Sequence, residues 1–456
     1  MHKGVIQKGA FYFFLTLLFI LPLFLLISVL ILLIPTSALP STISGRFITS
    51  FYNWERQDDD STSTQHLRAY QSAILHVSGI GTRDLLFHSY VYATSDLTEK
   101  ASDDPRLKIY NLYLDWKRIA RRVDVTLGRQ RVYEGVGFGT IDGGRIGVKV
   151  GTKMVLTGYA GILTPLGKSN HLNTWSDGHL WGGRLTITGV GETDIVVSFV
   201  RRDRAPLRYR DPGRYNREIY EQNRLQVQDN GRQVQLVGLD LRRTVKRTMN
   251  LYGRLEINTQ PLRVWEGEVV ARYDVTKDVR VTGEFIHWAP QIAANSIFSV
   301  FDVQSNHQVA LRGAYRLNRY VSLSTHLITV LYKGDTTQRV EFGASVGQGY
   351  IGYSRRIGYG GESDGLVASI RQPVGKRVWI RGDVSFSGYT LNEEVKERDD
   401  QIGGGIGVTY QPEKHVTFDI EGQGIRNTIY ANDFRLFFRA NYWFFSGKRG
   451  WEGGTW

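Results

Sequence analysis

Residues 109–117 read Ile-Tyr-Asn-Leu-Tyr-Leu-Asp-Trp-Lys, and this stretch decides the fold. Apolar side chains at Tyr110, Leu112, Leu114 and Trp116 alternate with Ile109, Asn111, Tyr113, Asp115 and Lys117. Successive side chains of a β-strand point to opposite faces, so this period of two predicts a strand with one apolar face and one largely polar face. The same alternation recurs from Gly45 almost to the end of the chain, for example in residues 434–444.

Strand length and loop length distinguish a membrane barrel from a water-soluble β-sandwich, whose strands also alternate apolar and polar side chains. The alternating segments often run for about ten residues, whereas soluble strands average about 5–6. Tight connections, such as residues 151–153, 274–278, 318–320 and 347–349, take turns with longer ones at 95–105, 131–141, 165–178, 201–231 and 290–306. Short turns at one end and long loops at the other are typical of outer-membrane barrels. The sequence therefore predicts an all-β fold, a transmembrane antiparallel β-barrel of about 22 strands (20–24) over residues 39–445.

The N-terminal segment has the order of an export signal. Lys3 and Lys8 precede an uncharged, mostly apolar stretch at residues 9–35, and small residues follow at 36–38. This order predicts a signal peptide at residues 1–38 that is removed on export. The apolar stretch is long enough to span a bilayer, so an uncleaved inner-membrane anchor is the alternative. After the last strand, residues 446–456 form a C-terminal tail.

Composition excludes several classes of function. The 456 residues contain no Cys, which rules out disulfides, thiolate metal sites and covalent c-type haem on this chain. The formal charge of +13 comes from Lys and Arg spread along the chain, without a nucleic-acid-binding motif. His76, His88, His287 and His326 look like isolated strand residues, and no catalytic motif is present. We therefore expect no enzyme activity, no cofactor, no metal site and no nucleic-acid partner.

Two short stretches resemble known barrel families. Residues 442–445, Tyr-Trp-Phe-Phe, resemble the C-terminal assembly signal of outer-membrane β-barrels. Residues 127–130, Leu-Gly-Arg-Gln, followed by Ile-Asp-Gly-Gly-Arg at 141–145, resemble a segment of alginate-export-type porins. The resemblance implies a Gram-negative outer-membrane porin, in contact with lipid and lipopolysaccharide, that forms a passive, anion-preferring channel. Homo-oligomerisation is left open.

Charged residues on the polar strand faces are the pore-lining candidates. They are Arg145, Lys149, Arg184, Arg254, Glu256, Glu268, Arg272, Arg280, Glu284, Arg312, Arg316, Arg381, Asp383, Arg435 and Arg439. Rings of charge that line a pore select ions and solutes. Opposite charges on neighbouring strands also pair and simply satisfy one another. We expect pairing for most of these residues.

The lumen of such a barrel needs a filling element, because about 22 strands enclose a space too wide for wall side chains to fill. Strands begin soon after residue 38, so we expect no N-terminal plug. The Arg-rich segment 201–231 either folds inward and narrows the pore or faces lipopolysaccharide outside. Its constriction candidates are Arg204, Arg208, Arg210, Arg214 and Arg217. A passive porin is the first functional hypothesis. A barrel sheath for a periplasmic multihaem cytochrome is the second, and an adhesin is the third.

Overall fold

A computed structural model describes residues 42–57, 63–98, 104–165, 171–205, 232–260, 262–290, 305–390 and 398–446. The predicted signal peptide, almost all of the predicted tail, and Arg208, Arg210, Arg214 and Arg217 lie outside the described residues. The described part of the chain holds no helix that is both long and apolar enough to cross a membrane.

Twenty-two strands account for most of the described chain. They are β1 (Thr42–Gln57), β2 (Ser63–Ser78), β3 (Leu85–Asp96), β4 (Arg106–Ile119), β5 (Val123–Glu134), β6 (Gly137–Val150), β7 (Met154–Leu163), β8 (Gly178–Val190), β9 (Thr193–Arg204), β10 (Arg232–Val245), β11 (Met249–Asn258), β12 (Arg263–Asp274), β13 (Val279–Trp288), β14 (Asn306–Arg316), β15 (Val321–Leu331), β16 (Thr336–Val346), β17 (Gly349–Gly358), β18 (Glu362–Pro373), β19 (Val378–Thr390), β20 (Asp399–Glu413), β21 (Val416–Arg426) and β22 (Asn432–Ser446).

The strands close into one barrel. Each strand pairs antiparallel with the next along the chain, and β1 pairs with β22 from Ile43 opposite Ser446 to Gln57 opposite Asn432. Closure gives each described strand a partner on both sides and leaves no edge strand in the part of the chain that the structure describes. The predicted all-β antiparallel barrel and its count of 22 strands are confirmed.

The connections differ between the two ends of the barrel. The end that holds both Thr42 and Ser446 has only tight turns, from residues 191–192 between β8 and β9 to residues 79–84 between β2 and β3. The other end carries most of the longer connections. One prediction here was wrong: residues 131–141 are no long loop, because β5 continues to Glu134 and β6 begins at Gly137, with only residues 135–136 between them.

The outer face of the wall is apolar. Exposed large side chains repeat at every second position of the strands, as at Leu112, Leu114 and Trp116 in β4 and at Ile402, Ile406 and Val408 in β20. Ile406 is 65% exposed. Such a continuous apolar surface is unfavourable in water and is matched to the hydrocarbon of a bilayer. The fold is therefore that of a membrane-spanning barrel.

Candidate pore constriction

The hairpin formed by β5 and β6 leaves the barrel wall. The ladder between β4 and β5 ends at Leu112 opposite Arg129, and the ladder between β6 and β7 ends at Ile141 opposite Leu163. Beyond these rungs, the strand ladder of residues 130–140 runs across the hairpin itself. At its base, the backbone NH of Thr164 also donates to the carbonyl oxygen of Thr140 at 3.1 Å. We call residues 129–142 the inner hairpin.

The inner hairpin folds back over the inside of the wall. Glu134, next to its tip, accepts hydrogen bonds from Nη1 of Arg145 at 2.7 Å and from Nη1 of Arg184 at 3.1 Å. In an extended hairpin, Arg145 would lie roughly 27 Å along β6 from Gly137, since a strand rises about 3.4 Å per residue. The contact between Glu134 and Arg145 therefore requires the tip to turn back towards the middle of the barrel.

Contacts with β9 and β10 fix where the tip lies. The backbone NH of Val136 donates to Oγ of Ser198 on β9 at 3.1 Å. On β10, a Cβ added to Gly238 would contact the side chain of Val136, so glycine leaves room for the tip. These contacts reach past β7 and β8, so the tip lies across the inner faces of four successive strands.

A buried apolar cluster lies beneath the inner hairpin. Its members are Val132, Val136, Ile141, Tyr159, Leu163, Leu180, Val200 and Leu236. Ile141 and Leu180 are fully buried. Burial of one such aliphatic side chain contributes about 1.5–3 kcal/mol. Among the described residues this is the hydrophobic core of the molecule, and it holds the inner hairpin against the wall of β7 to β10.

Glycines permit the bend. Gly128 has φ +122°, a backbone conformation that L side chains rarely adopt, and its added Cβ would meet the carbonyl oxygen of Leu112. Gly143 is the residue of β6 that pairs with Gly128, and an added Cβ on Gly143 would meet the backbone of Ala160 and Gly161. A side chain at either position would push neighbouring strands apart.

Arg129 and Gln130 donate hydrogen bonds to backbone carbonyl groups at the bend, and Asp142 pairs with Arg129. Arg129 donates to both carboxylate oxygens of Asp142, at 2.7 and 2.8 Å, and its Nη1 donates to the carbonyl oxygen of Ile109 at 3.3 Å. Gln130 donates to the carbonyl oxygens of Thr126 and Gly143 at 3.2 and 3.3 Å. Arg129 and Gln130 are both buried, and buried carbonyl groups without partners are costly. These side chains stabilise the place where the hairpin turns inward.

The same residues make up the two stretches that resemble alginate-export-type porins. Gly128, Arg129 and Gln130 come from the first stretch, and Asp142 and Gly143 come from the second. In this structure they form one unit that lets a hairpin leave the wall. Their role here is structural, at the base of the inner hairpin.

The carboxylate of Glu134 is the electrostatic anchor of the tip. Glu134 is 7% exposed and lies between two arginines on the wall. Arg145 also donates to Oγ1 of Thr126 at 3.5 Å, and Thr126 donates to Asp115 at 3.0 Å. A buried carboxylate is tolerated when its charge is paired and hydrogen-bonded, as it is here.

The opposite side of the inner hairpin faces the open lumen. Tyr133 is 70% exposed and Phe138 is 47% exposed. The guanidinium carbon of Arg131 lies 4.8 Å from the centre of the Phe138 ring, a cation–π distance, and the rings of Tyr133 and Phe138 are 6.2 Å apart. The element that projects into the lumen thus presents aromatic rings and a positive charge.

The fifteen pore-lining candidates lie on the lumenal strand face, which alternates with the face that carries the exposed apolar side chains. Several form ion pairs: Arg145 and Arg184 with Glu134, Arg254 with Glu256, Arg272 and Arg280 with Asp274, Arg312 with Glu284, Arg381 with Glu421, and Arg435 with Asp433. Arg439 lies over the ring of Phe437 at 4.7 Å, and Glu268 is opposite Arg254 in register. Lys149, Arg316 and Asp383 occupy exposed positions. A role in solute passage stays a prediction for the whole set.

Sequence reasoning placed the constriction elsewhere. The predicted bounds of the Arg-rich segment were partly wrong, because residues 201–204 belong to β9. Arg204, at the end of β9, is the one constriction candidate among the described residues. Whether that segment folds inward stays a prediction. The sequence analysis did not predict the inner hairpin. Its signal was Val132 and Val136, which are apolar residues at positions where the lumenal face of β5 should be polar. The histidines are also less isolated than expected, since Nδ1 of His76 and Nδ1 of His88 are 2.6 Å apart.

Fold and site together define a closed 22-stranded membrane β-barrel with a hairpin folded into its lumen. No protein-family model and no curated protein sequence matches the chain. Among solved structures, the P pilus usher (PapC) translocation pore has a TM-score of 0.45 at 7% identity, covering 87% of this chain and 99% of that one. OccAB3 of Acinetobacter baumannii has a TM-score of 0.41 at 10% identity, covering 89% and 99% of the two chains. OpdQ of Pseudomonas aeruginosa has a TM-score of 0.41 at 9% identity, covering 89% and 98%.

Proposed function

We propose that the protein is a bacterial outer-membrane channel for passive diffusion of small solutes or ions, with its lumen narrowed by the inner hairpin. The observation that carries the proposal is the docking of the hairpin inside the barrel through Glu134 and the apolar cluster. An element held inside the lumen by buried packing and ion pairs reduces the open cross-section, and we infer that it restricts which solutes pass. The lipid-facing wall fits the outer membrane, where lipopolysaccharide would surround the longer loops.

The width of the barrel explains why such an element is needed. Twenty-two strands spaced by about 4.8 Å and tilted by about 40° enclose a cylinder roughly 40 Å across at the backbone. An inner hairpin of two strands covers only one side of that space. We propose that the Arg-rich segment 201–231 narrows the remainder from the top of β9, which would give a preference for anions.

Planar-bilayer conductance of the purified protein tests the proposal. The channel should show discrete, moderate single-channel steps. A variant in which residues 131–139 are replaced by two glycines should conduct more, because the lumen loses its inner hairpin. Glu421→Gln is the matched control: it removes a lumenal carboxylate whose partner is Arg381, away from the hairpin. Equal conductance of the deletion variant and the wild type would contradict a constricting role for the hairpin.

A sheath for a periplasmic multihaem cytochrome is the competing proposal, and the same measurement separates the two. A sheath should be very leaky when purified alone, and addition of its partner should reduce the current. Small discrete steps without any partner favour the diffusion channel. A homo-oligomer stays a prediction, and chemical cross-linking in membranes would count the copies in the assembly.

A further inference from the structure

Two histidines meet across neighbouring strands, close to the end of the barrel that has only tight turns. His76 of β2 is directly opposite His88 of β3 in the antiparallel ladder. Their Nδ1 atoms are 2.6 Å apart, and the planes of their rings cross at 75°. We call these two residues the histidine pair. Each ring turns the same nitrogen towards the other, so the two nitrogens converge on one point.

The histidine pair faces the lumen. In the next ladder, His88 is opposite Tyr113 of β4. Tyr113 alternates along β4 with Leu112 and Leu114, whose side chains are exposed on the outer face of the wall. Both imidazoles therefore lie on the inner face, where each is half-buried and in reach of lumenal water.

Neighbouring side chains hold the pair and leave its nitrogens as the groups it offers. The ring of Tyr113 stacks on that of His88, with ring centres 4.8 Å apart and planes 21° apart. Asp115, on the same face of β4, pairs with Lys117 at 3.0 Å and accepts a hydrogen bond from Thr126 at 3.0 Å. The carboxylate beside the pair is thus engaged by its own partners, and the two imidazole nitrogens are what a ligand meets.

Two convergent imidazole nitrogens are ligands for a transition-metal ion. Neutral imidazole suits Cu²⁺, Ni²⁺ and Zn²⁺, whereas Mg²⁺ and Ca²⁺ prefer oxygen. A metal–nitrogen bond is about 2.0–2.1 Å long, so two such bonds at about 90–110° place their nitrogens roughly 2.9–3.4 Å apart. The two Nδ1 atoms of the pair, at 2.6 Å, come close to this separation. Small rotations of the two side chains are enough to reach it.

The protons of the pair can be rearranged without any net loss. In the hydrogen bond between the two rings, one Nδ1 donates its proton and the other Nδ1 accepts it. A metal ion needs the lone pairs of both Nδ1 atoms, so the donating ring takes up a proton at Nε2 from lumenal water and gives up the one at Nδ1. Both rings stay neutral, and two metal–nitrogen bonds replace one hydrogen bond.

We propose that the histidine pair binds one divalent transition-metal ion, with Cu²⁺ bound more tightly than Ni²⁺ or Zn²⁺. Nδ1 of His76 and Nδ1 of His88 are the protein ligands, and water molecules complete the coordination. Structural metal sites use four protein ligands, so an ion held by two should exchange readily with the lumen. Binding is expected whether the barrel is a diffusion channel or a cytochrome sheath, because it depends on the two histidines alone.

The experiment counts Cu²⁺ ions bound per chain by the purified, detergent-solubilised barrel, produced without a histidine tag. A second pair, His287 and His307, has its Nδ1 atoms 3.3 Å apart on the outer face, so the readout is a difference between variants. His76→Asn should bind one ion fewer than the wild type, and His88→Asn should lose the same ion. His66→Asn is the matched control, because it removes a histidine from the lumenal face of the same strand, and it should lose none. Folding of each variant is checked by its heat-dependent mobility on gels.

Electron paramagnetic resonance provides a second measurement that leaves the histidine pair intact. In His287→Asn/His307→Asn, the spectrum of one bound Cu²⁺ should show splitting from two nitrogen ligands, and excess Mg²⁺ should not displace the ion. This spectrum decides the question if the lumenal variants do not fold. An unchanged count in folded His76→Asn and His88→Asn would overturn the site. An equal loss in His66→Asn, or a spectrum without two nitrogen ligands, would overturn it as well.

Discussion

Removal of the Glu134 carboxylate should release the inner hairpin. In Glu134→Ala, Arg145 and Arg184 keep their positions beneath the tip but lose the charge that pairs with them. Loss of one partner of a buried ion pair costs about 3–5 kcal/mol. Both arginines retain 32% side-chain exposure, so water screens part of this effect and we expect about 2 kcal/mol. That change favours the undocked hairpin by roughly thirtyfold relative to wild type.

Single-channel recording measures this shift directly. Undocking widens the lumen, so Glu134→Ala should visit a larger conductance level, with the ratio of large to small levels raised by roughly thirtyfold. Glu134→Gln keeps the size and one acceptor oxygen and should give a smaller rise. Glu421→Gln serves as the control, as above. If the ratio of levels in Glu134→Ala equals that of the wild type, the ion pairs of Glu134 do not hold the hairpin in its docked position.

Three further predictions concern the wall, the bend and the orientation of the barrel. Leu112→Arg or Val281→Arg should lower the free energy of unfolding in vesicles by about 2–4 kcal/mol if near the midplane, whereas lumenal Asp115→Asn should cost far less; equal losses would contradict the assigned faces. Gly128→Ala should reduce the yield of folded barrel on gels by more than Gly424→Ala, where an added Cβ meets nothing. Equal yields would show that the bend at Gly128 does not require glycine. Labelling of intact cells should reach residues 201–231 and spare residues 274–278. The reverse pattern would show that the barrel has the opposite orientation in the membrane.

The wall of the barrel was predictable because its physical constraint is local and repeated. Every strand meets lipid on one side and the lumen on the other, so each carries the same period of two in its own sequence. Tight turns such as residues 151–153 and 347–349 mark where strands reverse. Strand count and antiparallel order follow from these signals without knowledge of any contact between distant residues.

The inner hairpin was not predictable in the same way, because what defines it is a set of distant contacts. Alternation continues through β5 and β6 whether the hairpin runs up the wall or folds inside. The deciding partners, Arg184 and Ser198, lie far along the chain from Glu134 and Val136. The pairing of His76 with His88 depends likewise on the register between β2 and β3, which alternation alone does not give.

An engineered disulfide between the hairpin tip and β10 tests whether the inner hairpin is docked inside the lumen. The chain has no cysteine, so the background is clean. An added Cβ on Gly238 would lie 3.6 Å from the Cβ of Val136, within the range of about 3.5–4.5 Å that disulfides span. The double variant Val136→Cys/Gly238→Cys should therefore cross-link on mild oxidation in membranes, and only its reduced form should visit the larger conductance level of the undocked hairpin. Efficient cross-linking of Val136→Cys/Asn111→Cys, together with none for the β10 pair, would place the tip against β4 and not against β10.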